Sequence, residues 1–188
     1  MRWLLWPVAA IVTLAVVGQG SYASFSAKVS NLGNSLSVGS VSLTDNDSGS
    51  ALLSLTNLKP GSTGSRCIVV SSSGTLASSV KLYATDVSST KSLGSYITLT
   101  LTQGTGAGFG ACTGFTALPS GSTVYSGTLA SFTSVAIGYS TGVGSWFPSG
   151  SATETRSFQF AYVVTASIPD SAQGGTASFG ATWEAQNT

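Results

Sequence analysis

The chain has 188 residues, of which 7% are charged, and its seven basic and six acidic residues leave a formal net charge of +1. Soluble domains usually carry about 25% charged residues, so Ser, Thr and Gly must supply most of the polar surface. The basic residues are scattered, which argues against a nucleic-acid partner because such binding needs a clustered positive patch. The length favours a single domain, and the composition favours an extracellular setting over the cytosol.

The N-terminus has the pattern of a secretory signal peptide. Arg2 provides a short positive region, and the apolar stretch from Leu4 to Val17 is shorter than the roughly 20 residues that a membrane span needs. Small residues precede Ser24, so we predict a signal peptide over residues 1–23 with cleavage between Ala23 and Ser24. An uncleaved N-terminal anchor is the alternative.

The residues after the cleavage site have the pattern of a short amphipathic strand. Phe25, Ala27 and Val29 alternate with polar residues and would share one face. A turn-prone stretch then interrupts the pattern, so we separate an N-terminal segment at residues 24–34 from a domain at residues 35–188. A terminal strand of this kind can pair with its own domain or with a neighbouring subunit, because the backbone hydrogen bonds are the same in both cases.

Six further segments alternate between apolar and polar residues, separated by turns rich in Gly, Pro and Ser. In chain order they read ALLSLTNL, RCIVVSS, SSVKLYA, SYITLTLT, RSFQFAYVVTASI and TASFGATWEA. A short helical turn is compatible with the stretch between Leu129 and Tyr139. One apolar face per strand predicts an all-β sandwich of two antiparallel sheets.

The sequence NLKPG at residues 57–61 predicts a tight turn between two strands. Proline fixes φ near −65° at the second position of a type II turn, and glycine accepts the positive φ of the third position. Pro60 and Gly61 stand in these two places, and Leu58 would pack into the core before the chain reverses.

The two cysteines, Cys67 and Cys112, are expected to form a disulfide, because an exported protein meets an oxidising environment. Two free buried thiols are the alternative. A metal site is less favoured, since two thiols do not complete a tetrahedral shell and the chain has no histidine.

Two further groups of residues are candidates for binding. Oxygen ligands at Asp45, Asn46 and Asp47 could hold calcium, although a tight turn between strands is the favoured interpretation. Five aromatic residues between positions 120 and 150 could form a carbohydrate platform or fill the core. These are Tyr125, Phe132, Tyr139, Trp146 and Phe147.

Three stretches resemble the TasA/camelysin family of exported bacterial matrix proteins: GSYASFS at the signal junction, TNLKPGSTGSRCIVVSSSGTLASSVKLY at residues 56–83, and ASFGATWEAQN near the C-terminus. The resemblance implies a jelly-roll-like sandwich secreted to the extracellular matrix or cell surface. It also implies fibres made by donor-strand exchange, with Phe25, Ala27 and Val29 entering a neighbouring subunit.

The resemblance further implies two partners, other copies of the same chain and a dedicated signal peptidase, and an anchoring or accessory protein is a third candidate. No nucleic acid and no cofactor are expected.

The chain is shorter than the best-known family members and carries a cysteine pair. A monomeric exported adhesion or glycan-binding sandwich is the alternative function.

Camelysin is described as a metalloprotease, but the residues of this chain argue against that chemistry. Without histidine, neither an HExxH zinc site nor a Ser–His–Asp triad can be built. The only glutamates, Glu154 and Glu184, lie far apart in sequence. We therefore predict a structural protein without a catalytic or metal site.

Overall fold

The computed structural model describes residues 39–48, 53 and 58–188, which belong to one unit spanning Val38–Thr188. Its strands, in chain order, are β1 (Leu43–Asp45), β2 (Thr63–Ser72), β3 (Ser78–Ser89), β4 (Ile97–Thr105), β5 (Thr116–Ala117), β6 (Thr123–Thr128), β7 (Val143–Trp146), β8 (Glu154–Val164) and β9 (Ala177–Asn187). One α-helix, α1, spans Leu129–Val135, and 3₁₀ turns occupy Leu93–Tyr96, Tyr139–Thr141 and Asp170–Ala172. None of these helices has the length and hydrophobicity needed to span a lipid bilayer.

The strands form two antiparallel sheets. The larger sheet has the order β1-β2-β8-β4-β5, and β6 also pairs with β4. The smaller sheet has the order β7-β3-β9. Aromatic side chains join the two sheets: Phe158 and Phe160 of β8 lie 5.3 and 6.2 Å from the indole ring of Trp183 in β9. The prediction of an all-β sandwich of two antiparallel sheets is therefore confirmed.

The core lies between the inner faces of the two sheets. It is formed by the apolar residues at alternate positions of the strands, as the sequence pattern predicted. Ile97, Leu99 and Leu101 of β4 are each at most 1% exposed, and Phe160 of β8 is fully buried. Helix α1 adds Phe132, which packs against aromatic rings of β6 and β9. The helix starts at Thr128, whose Oγ1 accepts a hydrogen bond from the backbone N–H of Ser131 as a conventional N-cap.

The outer face of the larger sheet is built from small, uncharged side chains. Two of its cross-strand rows consist of Thr98, Val163 and Thr63, and of Thr100, Ala161 and Ser65. These residues alternate along their strands with the buried set, so they face away from the core.

The turn at Pro60 has the predicted geometry. Gly61 has a φ of +77°, and the N–H of Ser62 donates to the carbonyl of Lys59 at 2.9 Å. Leu58 is half-buried and packs against the core. Most of the predicted strand ALLSLTNL lies outside the described residues.

A disulfide joins Cys67 to Cys112, which is the pairing expected from the sequence. Cys67 is fully buried in β2, and Cys112 lies in the glycine-rich loop between β4 and β5. The N–H of Gly110 donates to the carbonyl of Cys67 at 2.8 Å, and the Ser157 hydroxyl donates to the carbonyl of Gly106. The bridge and these hydrogen bonds attach the loop to strands β2 and β8.

Candidate functional site

Strand β9 has an open edge. One side of β9 pairs with β3 in a long antiparallel ladder from Ala177↔Ser89 to Asn187↔Ser78. In the described part of the chain, no strand pairs with its other side. An edge strand presents roughly half of its backbone N–H and C=O groups to that side, where they can accept another strand.

A groove lies along this open edge, and we call it the β9 groove. It has a volume of about 260 Å³ and is lined on one side by Ala181, Thr182 and Trp183. The opposite side is formed by β1 with its neighbour Val70. The groove therefore separates the edge of the smaller sheet from the edge of the larger one.

The inward-facing side chains of β9, two of which line the β9 groove, belong to an incompletely covered part of the core. Phe179, Ala181, Trp183 and Ala185 face inward and pack against the core, yet each stays half-buried, unlike the fully buried residues of β4. The indole N–H of Trp183 is buried without an acceptor among the described residues. A strand laid along β9 would add apolar contacts and backbone carbonyls at this place.

The sequence did not predict the role of β9. Its alternation indicated a strand with one buried face, which the structure confirms, but not its position at a sheet edge. The partner strand β3 lies about a hundred residues away, as shown by the hydrogen bond between Tyr83 and Glu184, separated by 101 positions. The predicted donor residues Phe25, Ala27 and Val29 and the cleavage residues Ala23 and Ser24 lie outside the described residues.

The five aromatic residues proposed as a carbohydrate platform do not share one exposed surface. Phe132 and Trp146 are buried in the core, at 0% and 2% exposure. The hydroxyl groups of Tyr125 and Tyr139 donate to backbone carbonyls of Thr128 and Ser79. Phe147 is exposed. Core filling and loop anchoring therefore account for four of the five residues.

The turn at Asp45 to Asp47 follows β1, in agreement with the favoured interpretation. The N–H of Asp47 donates to Oδ1 of Asp45, and Oδ1 of Asn46 accepts from the N–H of Val69. Partial burial raises the pKa of Asp45. The side-chain oxygens of Asp45 and Asn46 are thus used in hydrogen bonds within the fold.

The carboxylates of Glu184 and Glu154 also accept hydrogen bonds within the protein. Glu184 accepts a hydrogen bond from the hydroxyl of Tyr83, which raises the pKa of that phenol. Glu154 accepts hydrogen bonds from the hydroxyl and the backbone N–H of Ser149, at 2.7 and 2.6 Å. All six carboxylates and both cysteines of the chain lie within the described residues, and no three of them form a possible metal cluster there.

The Glu154–Ser149 contact predicts a pH effect on stability. The hydrogen bonds from the Ser149 hydroxyl and N–H lower the pKa of Glu154 below its ordinary value of 4.5. Because the folded pKa is the lower one, the stabilisation is present above the unfolded pKa and is lost as the pH falls through the folded one. The melting temperature of the wild type should therefore exceed that of Glu154→Gln by a difference that shrinks as the pH falls from about 6 to about 3. Parallel pH profiles for the two proteins would contradict this assignment.

Part of the chain matches a known protein family. Residues 7–95 match the sequence profile of the camelysin metallo-endopeptidase family, which confirms the resemblance to the TasA/camelysin family. The matched range contains β1, β2, β3, the turn at Pro60 and Cys67, and it ends before Cys112 and before β9. No curated protein sequence matches the chain.

Proposed function

Since residues 7–95 match the camelysin family, we propose that this chain is an exported, biofilm-related structural subunit that polymerises into extracellular fibres by donor-strand exchange. The observation that carries the proposal is the open edge of β9, with a groove beside it and an incompletely covered core beneath it. Such an edge is an acceptor for a strand from another chain.

The proposed donor is the segment Ser24–Ser30, whose Phe25, Ala27 and Val29 alternate with polar residues. Its apolar face would meet the inward-facing residues of β9, which also recur at every second position. Burying Phe25 would contribute about 1.5–3 kcal/mol, and the backbone ladder would add to that. The side chains that line the groove would then determine the register of the donor strand, and the backbone hydrogen bonds to β9 would provide affinity.

Processing controls assembly in this proposal. The signal peptide spans residues 1–23, and a dedicated signal peptidase cuts between Ala23 and Ser24. Before cleavage the donor segment is attached to the apolar signal sequence. After cleavage it has a free end and can enter the β9 groove of another copy at the cell surface or in the extracellular matrix, where an anchoring or accessory protein could start the fibre.

The proposed role is structural rather than enzymatic, although the family carries the name of a metallo-endopeptidase. A zinc peptidase site is built from histidine and carboxylate ligands around one open coordination position. This chain has no histidine, and its cysteines are bound to each other. Glu154 and Glu184 sit on strands of different sheets and accept hydrogen bonds from Ser149 and Tyr83. These side chains therefore do not provide the ligands that the zinc ion of such an enzyme needs.

The first arm of the test removes the donor. The mature chain, a variant lacking Ser24–Ser30 and the variant Phe25→Asp are concentrated and viewed by negative-stain electron microscopy. We expect filaments from the mature chain alone, and circular dichroism melts that show folded monomers of both variants. A truncated chain that unfolds or aggregates would indicate that the strand completes its own domain, and filaments from it would refute donor-strand exchange.

The second arm blocks the acceptor. Asp45 is exposed, lines the β9 groove and lies level with the buried Val70, so its side chain is on the groove side of β1 and Asp45→Arg places a long cation there. Asp170→Arg is the matched control, since Asp170 is also exposed and accepts one local hydrogen bond but does not line the groove. We expect Asp45→Arg to reduce filament formation at a concentration at which Asp170→Arg assembles normally. Persistent monomers of the unmodified mature chain would favour the adhesion or glycan-binding alternative.

A further inference from the structure

The turn after β1 carries a sequence motif that fibre assembly does not use. Asn46-Asp47-Ser48 has the pattern N-x-S/T with a residue other than proline in the middle, which is the acceptor pattern for N-linked glycosylation. No other asparagine of the chain is followed two positions later by Ser or Thr. The motif has functional meaning only at the surface of an exported protein.

The position of Asn46 meets this requirement. Asn46 is exposed and follows Asp45, the last residue of β1, which is paired with Val70 of β2. Oδ1 of Asn46 accepts a hydrogen bond from the N–H of Val69 at 2.9 Å. The side-chain amide thus extends the β1–β2 ladder by one hydrogen bond beyond the end of the strand, which holds the amide group in place at the surface.

The hydrogen bond and the modification use different atoms of the same amide. The bond to Val69 engages the carbonyl oxygen, whereas N-glycosylation takes place on the nitrogen, Nδ2. A sugar on Nδ2 leaves the carbonyl oxygen free to accept from Val69, so the fold and the modification are compatible. Ser48, which supplies the hydroxyl of the motif, is also exposed and has a φ of +53° in the turn.

We propose that Asn46 is an N-glycosylation site of the exported chain; the proposal rests on the export part of the proposed function. The donor is a saccharide linked through phosphate to a polyprenyl lipid, and the catalyst is an oligosaccharyl transferase. Nδ2 attacks the anomeric carbon and forms the C–N bond, while the bond from that carbon to the phosphate oxygen breaks. The lipid phosphate leaves with the electron pair, and the amide gives one proton to a base of the transferase.

The experiment compares masses of the chain recovered from outside the cells that naturally produce it. Intact-mass spectrometry and peptide mapping should find the peptide that contains Asn46 heavier by at least one sugar residue. Ser48→Gly is the diagnostic variant: glycine accepts the positive φ without strain, so the variant removes the hydroxyl and keeps the turn. We expect this variant to be exported and folded but to lose the added mass completely. Asn46→Gln should lose it as well.

Ser92→Gly is the matched control, since Ser92 is also exposed and has a φ of +55°, but it belongs to no such motif. This variant should keep the added mass. An exported wild-type chain with the unmodified mass, or a sugar that persists in Ser48→Gly and Asn46→Gln, would overturn the proposal. A chain that never leaves the cell would instead count against the proposed function, so the two failures are distinguishable.

Discussion

Replacing Phe160 with alanine should lower the free energy of unfolding by about 3–5 kcal/mol, the usual cost of removing a buried aromatic side chain. Phe160 is fully buried at the centre of β8. Its ring lies 6.4 Å from that of Phe179 and 6.2 Å from that of Trp183, so it connects the larger sheet to the strand that borders the β9 groove. This cost has two contributions: the free energy gained by burying the ring is lost, and a cavity is left between the sheets.

Chemical denaturation of the mature chain measures this change, with Phe147→Ala as the control. Phe147 is 63% exposed, so its replacement should alter the free energy of unfolding by less than about 0.5 kcal/mol. The two substitutions remove the same atoms and differ only in burial. Equal effects would show that Phe160 does not lie in a packed core.

Reduction of the Cys67–Cys112 bridge should lower stability by about 4 kcal/mol, because the bridge spans 45 positions and restricts the unfolded chain. This value follows from the entropy of closing a loop of that length. Further loss is expected if the glycine-rich loop leaves β2, since Gly110 donates a hydrogen bond to the carbonyl of Cys67. The folded sandwich should persist at moderate temperature, because the buried residues of the core cluster lie outside this loop.

Thermal or denaturant melts with and without a thiol reductant test the contribution of the bridge. The double variant Cys67→Ala/Cys112→Ala is the control: it should be less stable than the oxidised wild type and insensitive to the reductant. A reductant effect of the same size in the double variant would mean that the reductant acts elsewhere. Identical melts of the oxidised and reduced wild type would contradict the expected stabilisation.

Local sequence patterns were sufficient to predict the long strands of the fold. Burial of alternate residues in β4 and β8 follows from a two-residue period, which each strand carries in its own sequence. The geometry at Pro60 and Gly61 also depends only on neighbouring residues. The short strands β5, β6 and β7 were not predicted, since segments such as TVYSGT and VGSW contain too few alternating apolar residues to be distinguished from loops.

The candidate site could not be predicted in the same way, because it depends on which strands remain unpaired. The sequence of β9 shows Phe179 and Trp183 on one face but contains no information on whether a strand covers each side. Gln103 presents a similar difficulty: it occupies an inward position of β4 and is buried, with its amide nitrogen donating to the carbonyl of Gly121. The open edge of β9 and the burial of Gln103 both depend on contacts between distant parts of the chain.

The outer face of the larger sheet has a consequence for how copies of this protein meet in solution. Thr98, Thr100 and the residues level with them carry no charge, and the chain as a whole has a net charge of only +1. Neither long-range repulsion nor electrostatic steering should therefore influence the encounter of two copies. The rate of association would be set by diffusion and by the number of copies present, and would change little with ionic strength. Two copies of such a protein could meet at similar rates in fresh water and in brine.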